Sequence, residues 1–453
     1  MSIDLELIRK YNVAGPRYTS YPTVPYWEGD NLAVADWQHL CQKTFDESNI
    51  AQGISLYIHL PFCEKLCTFC GCNKRITVNH AVEEPYIDTL LKEWNMYLAC
   101  FSQQPIVREI HLGGGTPTFF SAQNLSRLIS NIDATIARHP DFELSYEAHP
   151  NVTTQEQLQV LYDMGSRRIS FGIQDFDDRV QIAINRVQTY DQVALVTHWA
   201  RQIGYHSINY DIIYGLPYQQ LSSIETTMSF IGQLRPERIA FYSYAHVPWM
   251  AKSQRGYDEN NLPQATEKRA LYERGRALLF QYGYHEIAMD HFALENDPLL
   301  RSSIKGTLHR NFMGYTPHHT SLMIGLGVSA ISDSWTAYAQ NNKSFEDYVK
   351  LVSSGTLPIY KGHILTEEDL YVRVHILNLI CRFTTTFDNK TRDKIMVYKE
   401  RLLEMELDRL IHWHENTLSV SNKGRTFIRN ICMALDERLY RQQATTQLFS
   451  QTI

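Results

Sequence analysis

Hydrophobic and polar positions follow two rhythms between residue 54 and about residue 260. Short apolar runs rich in Ile, Val, Phe and Tyr predict strands, and the longer segments between them carry helical spacing. Six strand–helix units in succession predict a parallel sheet, because parallel strands need crossover connections. Six units suit a partial or full (β/α) barrel better than an open sheet, although the pattern alone leaves both open. The predicted strands are 54–60, 107–112, 142–147, 168–173, 208–213 and 238–242.

The two ends of the chain follow other patterns. The first 50 residues show no long periodic segment, and the Pro- and Tyr-rich run GPRYTSYPTVPYW predicts an ordered arm. After residue 260 the rhythm loosens, and the Gly-rich stretch 308–332 predicts loops with one short strand. The last part is helical and ends in a β-hairpin followed by a helix, which resembles a winged-helix module. The expected domains are an arm, 1–50, a barrel with elaborations, 51–361, and a mainly helical C-terminal domain, 362–453.

Composition narrows the class of protein. The 453 residues carry a formal net charge of −6, whereas general nucleic-acid binders usually have a basic surplus. No window reaches the roughly eighteen consecutive apolar residues of a membrane span, so we expect none. The first residues, MSIDLELIRKYN, lack the apolar centre of a secretory signal. We therefore expect a cytoplasmic protein whose cysteines are not a disulfide framework.

Four of the eight cysteines crowd into one segment directly after the first predicted strand. Cys63, Cys67 and Cys70 have the spacing C-x3-C-x2-C, and Cys72 follows two residues later. Three thiolates this close can hold three corners of a cubic iron–sulfur cluster, with an open iron for a small ligand. Cys72 lies too near Cys70 to reach the fourth corner easily. The alternatives are a purely structural role or a zinc ion with His59 as its remaining ligand.

This spacing, with YIHLPFC before it, resembles the radical S-adenosylmethionine (SAM) superfamily. Further segments are similar to one family within it, the oxygen-independent coproporphyrinogen III oxidases, over nearly the whole chain. PRYTSYPT and GRTFIRNICM discriminate best, because segments such as HLGGGTPT are widely shared. The resemblance implies an α/β fold with a partial (β/α)6 TIM-like barrel of the radical SAM type. It also implies a [4Fe–4S] cluster on the three cysteines, with SAM chelated by the open iron.

The residues that this resemblance assigns to SAM follow successive predicted strands. In a (β/α) barrel the carboxyl ends of all strands face one mouth, so these residues are expected to converge. Glycines would let the backbone approach the ligand closely, and charged or amide groups would recognise its polar atoms. Each residue taken alone is also typical of an ordinary barrel mouth. The assigned residues are Tyr57, Gly114, Gly115, Thr116, Glu147, Gln174, Arg186, Asp211, Ala245 and Ile331.

The resemblance also implies a second SAM molecule, placed near Phe312, and residues close to the reaction itself. Tyr57, His59 and Phe312 are expected to line the macrocycle or the path of the radical. Cys72 is a further candidate on the substrate side, and a small residue in a tight loop is its alternative interpretation.

Two positions depart from the family pattern. Met313 stands where a Gln occurs in some members, and a methionine cannot offer an amide hydrogen bond to the second SAM. His149 stands where an acid also occurs. Neither change alone predicts a gain or a loss of activity.

The implied reaction is the anaerobic oxidative decarboxylation of two propionates of coproporphyrinogen III to vinyl groups, which gives protoporphyrinogen IX in haem biosynthesis. The expected partners are this substrate, an electron donor and an electron acceptor that the sequence does not identify, and no nucleic acid. A monomer is expected. The four propionates of the substrate need charge-assisted donors, although each candidate is equally typical of a solvated surface cation. The candidates are Arg17, Lys74, Arg75 and Arg310.

Other functions share part of this pattern. A haem-trafficking protein or a haem-acting radical methyltransferase would carry the same cysteine motif and barrel. A metal-stabilised interaction or nucleic-acid protein would account for the winged-helix-like end. The joint presence of PRYTSYP and GRTFIRNICM opposes the first two functions, and the acidic net charge opposes the third.

Overall fold

The computed structural model describes residues 5–28, 32–441 and 448–452. Its centre is a sheet in which six parallel strands lie side by side in chain order. All six predicted strands are present, and the largest error is at the start of the third, which begins at residue 137 instead of 142. The strands are β1 (Ile54–Leu60), β2 (Ile106–Gly114), β3 (Ala137–Ala148), β4 (Ser166–Gln174), β5 (Ser207–Tyr214) and β6 (Arg238–Ser243).

The sheet does not close on itself, since the hydrogen-bonded order of its twelve strands is linear. On its open side β6 pairs antiparallel with His291–Ala293, which in turn pairs with His285–Glu286. The prediction of a partial (β/α)6 barrel is therefore confirmed, and the full barrel is excluded.

A seventh parallel strand, β7 (Met323–Leu326), lies on the other side of β1. The sequence indicates only a short strand within a Gly-rich loop here, because the apolar run is interrupted by glycine. Gly325 is required by packing, since a Cβ atom there would lie 2.4 Å from the carbonyl oxygen of Ile331. Three antiparallel strands then extend the sheet beyond β7: Ile331–Asp333, Ala337–Asn341 and Ile359–Ile364.

Helices connect the parallel strands, and several begin at side-chain caps. Ser121 Oγ accepts from the N–H of Asn124, and Thr154 and Thr189 each form a reciprocal capping box. Among the described residues, no helix is long and apolar enough to cross a membrane. The helices from β1 to just past β6 are Glu83–Leu98, Ala122–Asp133, Gln155–Asp163, Asp178–Ala183, Tyr190–Ile203, Leu221–Leu234 and Ala265–Gln281.

The region before residue 50 contains a helix that the sequence analysis did not predict. Val34–Gln52 is helical and buries Trp37, Cys41 and Phe45 in the main hydrophobic core. These residues recur every four positions, which places them on one helical face. The expectation of no long periodic element is wrong here, because polar residues between the three anchors dilute the pattern.

A second hydrophobic core joins the start of the chain to its end. Leu7, Ile8 and Tyr18 pack in the same cluster as Ile376 and Ile431. The predicted hairpin is present as Ile411–His414 and Thr417–Val420, and Thr384–Thr386 adds a third strand. The domain boundaries themselves stay a prediction. The helices outside the barrel are Leu5–Tyr11, Pro298–Lys305, Phe345–Ser353, Glu367–Arg382, Arg392–Arg401, Leu403–Leu407, Ile428–Leu435 and Glu437–Arg441.

Candidate active site

The segment that carries the cysteines follows β1 directly, and we call residues 61–74 the cysteine loop. Its start is fixed by the turn after β2, because the N–H groups of Gly115 and Thr116 donate to Leu60 and Phe62 at 2.8 and 3.0 Å. Cys63, Cys67 and Cys70 are half-buried free thiols, whereas Cys72 is exposed.

Two further segments hold the far side of the cysteine loop. After β4, Asn185 Nδ2 donates to the carbonyl of Leu66 at 2.7 Å. After β6, Gln254 Nε2 donates to Phe69 at 3.0 Å and the hydroxyl of Tyr257 donates to Thr68 at 3.1 Å. The loop is therefore clamped by elements that come from the ends of three different strands.

The groups nearest the sulfur atoms suit negatively charged thiolates. The Thr116 hydroxyl donates to Cys63 Sγ at 3.3 Å, and Arg186 Nη1 donates to Cys67 Sγ at 3.6 Å. Within the described part of the chain, no three His, Cys, Asp or Glu side chains lie close enough to hold one metal ion. A cubic cluster instead requires three thiolates on three separate irons. The donor set therefore fits the cluster better than the zinc ion.

Tyr57 and His59 form a relay along the inner face of β1. Burial lowers the pKa of His59, so the imidazole is neutral. Its Nε2–H donates to the carbonyl of Asn73 at 2.8 Å, which leaves Nδ1 to accept from the Tyr57 hydroxyl at 3.1 Å. Burial raises the pKa of Tyr57 well above its usual value, so the phenol keeps its proton. The relay links the barrel interior to the end of the cysteine loop.

Glu147 lies at the end of β3 and keeps its charge. Burial opposes that charge, but His111 and the Gly114 N–H outweigh it and hold the pKa of the carboxyl below its usual value. Its Oε2 accepts from the Gly114 N–H at 3.1 Å, and its Oε1 lies 3.8 Å from His111 Nε2. The mouth of the barrel thus presents a fixed carboxylate beside the glycine turn.

Arg186 reaches the mouth from the segment after β4. It donates to the carbonyl of Gly172 through Nη2 as well as to Cys67. Its Nε is buried and has no hydrogen-bond partner among the described residues. A Cβ atom on Gly172 would lie 2.8 Å from Gln174 Nε2 and 2.9 Å from Arg186 Nη2, so both side chains cover this glycine. An unpaired buried N–H next to the cysteine loop is suited to an anionic ligand group.

Asp211 completes this edge of the mouth from β5. Its two carboxylate oxygens accept from the Ser170 hydroxyl and from Asn209 Nδ2, each at 2.9 Å. Burial, together with the charge of Glu147, raises the pKa of Asp211 to about 6. Tyr57, Glu147, Arg186 and Asp211 thus line one mouth, as the strand-end argument predicts.

Comparisons with known proteins agree with this geometry. The radical SAM superfamily model matches residues 57–231. The chain is 36% identical over 460 residues to the oxygen-independent coproporphyrinogen III oxidase of Pseudomonas aeruginosa, covering 99% of this chain and 98% of that one. It is 37% identical over 457 residues to the enzyme of the same name from Escherichia coli K12, with the same coverage. The chain belongs to the oxygen-independent coproporphyrinogen III oxidase family.

A solved structure of this family has the same fold. Coproporphyrinogen III oxidase (HemN) from Escherichia coli, described as a radical SAM enzyme, superimposes with a TM-score of 0.89 at 34% identity over 96% of this chain and 99% of that chain. The predicted family, fold and enzyme class are confirmed. The cofactors of this oxidase family are a [4Fe–4S] cluster and SAM, which the three thiols and the mouth residues fit.

Glycine is required in the turn after β2 for a different reason from the predicted one. Gly114, at a φ of 108°, leaves room for the His59 ring, which would lie 2.4 Å from a Cβ atom. A Cβ atom on Gly115 would lie 2.6 Å from the backbone of Pro61. Both glycines are therefore required by contacts within the protein, and close approach of SAM to them stays a prediction.

Phe312, which is expected near a second SAM, lies in an aromatic cluster. Phe312 contacts Trp27 and Tyr338 edge-on, with ring centroids 6.3 and 5.6 Å apart, and Ile331 packs against the same cluster. Ala245 is tied to the cysteine loop instead, since its carbonyl accepts from the same Gln254 amide at 2.9 Å.

The two departures from the family pattern lie in different surroundings. The Met313 N–H donates to Asn311 Oδ1 at 2.9 Å. Burial, with Arg186 and Lys65, lowers the pKa of His149 to about 2, so its imidazole is neutral. His149 therefore brings no charge to the side of Arg186, where an acid would.

The four candidate propionate partners fall into two groups. Lys74 donates to the carbonyls of Cys70 and Cys72 at 3.2 and 3.3 Å, and Arg75 pairs with Glu346 at 2.5 Å. These two cations therefore already have protein partners. Arg17 donates to the carbonyl of Ser243 at the end of β6. The last candidate, Arg310, has buried Nε and Nη1 atoms without partners among the described residues.

Some site residues were not predicted from the sequence. His111 stands two residues before Gly113 and therefore on the same face of β2. Strand periodicity could have identified it as a site residue. Its Nδ1 lies 2.8 Å from the Ser145 hydroxyl. Gln254 carries no such signal, because it lies in an irregular segment and its role depends on contacts distant in sequence.

Proposed function

We propose that this chain converts two propionates of coproporphyrinogen III to vinyl groups and so gives protoporphyrinogen IX in oxygen-independent haem biosynthesis. Each propionate loses one hydrogen atom from its β-carbon, one CO2 and one electron. The cluster and SAM, when bound, supply a 5′-deoxyadenosyl radical that takes the hydrogen atom, and an electron acceptor takes the electron. The proposal rests on a three-thiol loop facing an unpaired guanidinium N–H in a chain related to these oxidases over its full length.

The mouth residues offer one group for each polar part of SAM. The charged carboxylate of Glu147 suits the amino group, and the unpaired Nε of Arg186 suits the carboxylate. Asp211 suits the ribose hydroxyls, and Gln174 provides amide recognition. Gly114, Gly115 and Thr116 lie where the methionyl part would approach, and Ala245 and Ile331 are apolar contacts.

Residues of β1 and the cysteine loop are placed to act on the substrate side. The Tyr57–His59 relay holds a proton on the phenol and another on Nε2. Cys72 is exposed and follows Cys70 by two residues, so it is a candidate group on the substrate side. We place a second SAM at the Phe312 cluster, and we expect a monomeric, cytoplasmic enzyme with a separate electron donor and acceptor.

The decisive test is an anaerobic assay with reduced enzyme, SAM and coproporphyrinogen III. We expect two equivalents of 5′-deoxyadenosine and of CO2 for each protoporphyrinogen IX, because each decarboxylation consumes one radical. Mass spectrometry of the porphyrins after oxidation measures the product. SAM cleavage without any porphyrin product contradicts the proposal, and a methylated or ring-opened tetrapyrrole would indicate a methyltransferase.

The affinity for SAM is expected to fall below about pH 6. Only the ionised Asp211 offers both of its oxygens as acceptors to the ribose hydroxyls, and its pKa is raised to about 6. The carboxylate is present above this value and lost below it, so the Kd rises toward about tenfold per pH unit at low pH. Glu147 stays charged through this window, since its pKa lies below its usual value. Equilibrium dialysis with SAM between about pH 5 and 8 measures the profile.

Asp211→Asn is the matched control for this pH dependence. The variant cannot ionise, so its affinity is expected to be weaker at pH 7 and flat across the same range. A wild-type profile that is equally flat would show that Asp211 does not contribute to SAM binding.

A further inference from the structure

We infer that a large basic cavity between the barrel and the C-terminal region binds the non-reacting propionates of the tetrapyrrole substrate. The cavity has a volume of about 1130 Å³ and is bounded by the helix Ala265–Gln281, by residues 284–290 and by residues 422–429. Pockets for drug-sized ligands span roughly 300–1000 Å³, so a ligand as large as a tetrapyrrole is admitted. This inference rests on the proposed function and adds a binding site to it.

The charges around this basic cavity match a polycarboxylate. Seven Arg and Lys residues and three carboxylates line it, which leaves four positive charges in surplus. Two of the carboxylates already pair within the lining, Glu273 with Arg269 and Glu286 with Arg276. Coproporphyrinogen III carries four propionates, so the surplus equals the charge of the substrate.

Arg425 is the cation that most clearly lacks a protein partner. Its Nε is buried and has no hydrogen-bond partner among the described residues. Its guanidinium lies 4.3 Å from the centre of the Phe383 ring, which holds it in place over an apolar face. A buried N–H without an acceptor costs free energy unless a ligand satisfies it. Arg425 also belongs to GRTFIRNICM, a motif to which the mouth of the barrel gives no role.

The position of the basic cavity connects it to the reaction. Tyr214 and Ser243, the last residues of β5 and β6, line it, and the same two strands form one edge of the barrel mouth. Arg17 from the N-terminal arm also lines it and donates to the carbonyl of Ser243. A macrocycle with one propionate at the mouth therefore extends other propionates toward Arg17 and Arg425.

Aromatic side chains supply the apolar part of the site. Tyr272, Phe280 and Phe383 line the cavity together with the cations. Aromatic faces suit the pyrrole rings of the macrocycle, while guanidinium groups suit the carboxylates at its rim. The combination fits a flat polycarboxylate better than a small inorganic anion, which would not use the aromatic faces.

The test measures binding of coproporphyrin III, the stable fluorescent form of the substrate, to the cluster-loaded protein without oxygen. Arg425→Ala is expected to raise the Kd at least tenfold, and Arg425→Lys to raise it less because one charge remains. Arg274→Ala is the matched control. This residue lies in the helix Ala265–Gln281, pairs with Glu225 at 2.6 Å and does not line the cavity, so its Kd should equal that of the wild type.

The outcomes separate this site from the proposed function. An unchanged Kd in Arg425→Ala, or displacement of the porphyrin by millimolar inorganic phosphate, overturns the assignment to substrate propionates. Should Arg425→Ala lose iron and fail to fold, the exposed lining residue Arg382 takes its place, and Arg382→Ala must raise the Kd at least threefold. Wild-type protein that binds coproporphyrin III but forms no protoporphyrinogen IX refutes the proposed function and leaves the site standing.

Discussion

Replacing Cys63 with alanine is expected to remove the iron–sulfur cluster and to reduce product formation more than about a hundredfold, since losing even an outer-sphere partner costs about 10–100-fold in metal affinity. In the proposed site each of the three thiolates would hold a separate iron, and two thiolates would not retain a cubic cluster with an open corner. Cys63 is half-buried and accepts from the Thr116 hydroxyl at 3.3 Å, so alanine removes this contact together with the thiolate. Iron and sulfide analysis after anaerobic reconstitution, with the visible absorption spectrum, measures the loss.

Cys72→Ala is the control for this prediction. Cys72 is exposed and lies two residues from Cys70, so it is not expected to hold an iron. The variant should keep the iron and sulfide content of the wild type, while any fall in its activity would report on the substrate side. Equal loss of iron in both variants would mean that four cysteines hold the cluster, and the SAM site at an open corner would then be wrong.

Replacing Gly115 with alanine is expected to have the second largest effect, by separating the glycine turn from the cysteine loop. A Cβ atom would lie 2.6 and 2.7 Å from the carbonyl carbon and oxygen of Pro61 and 2.8 Å from the oxygen of Leu60. These are backbone atoms that cannot rotate away, and the 2.8 Å hydrogen bond from the Gly115 N–H to Leu60 would be strained. Overpacking of this kind costs about 1–3 kcal/mol of unfolding free energy.

The functional consequence of Gly115→Ala exceeds its effect on stability. The turn also places Thr116 against Cys63 and the Gly114 N–H against Glu147, so a shift moves both of these donors. Misplacement by about 1 Å costs about a hundredfold in rate. Thermal unfolding and the anaerobic product assay measure the two effects separately.

Gly71→Ala is the matched control within the cysteine loop. A Cβ atom on Gly71 meets nothing within 4 Å, and its backbone does not require glycine. Its unfolding temperature and cluster content should equal those of the wild type. A Gly115→Ala protein as stable as Gly71→Ala would show that the turn can move without cost.

Much of the fold was predictable because each strand is a local signal. The six parallel strands are short runs of β-branched and aromatic residues bounded by helical segments, and crossover connections then require parallel pairing. For β7 the sequence indicated only a short strand and not its place in the sheet, because a four-residue run that contains Gly325 gives no signal of which strand it pairs with. The helix Val34–Gln52 was missed because polar residues between its three large buried side chains weaken the apolar periodicity.

The part of the candidate site that lies at the ends of the strands was predictable from the sequence. Glu147 and Asp211 stand at or near the carboxyl ends of β3 and β5, and the rule that these ends share one mouth predicts their convergence. The bonds from Lys74 to the carbonyls of Cys70 and Cys72 could not be predicted, because they depend on how the loop folds back. The role of Gln254 could not be predicted, since its partner in the cysteine loop, Phe69, lies 185 residues away in the chain.

By itself the sequence determined the chemistry of this protein: three closely spaced thiols, six parallel strands and the residues at the strand ends. These are properties of neighbouring residues, which spacing and periodicity report directly. Only the tertiary structure decided which glycines are needed for packing, which cations already have partners and where a basic cavity lies. Those features arise from contacts between segments far apart in the chain, and no local pattern records them.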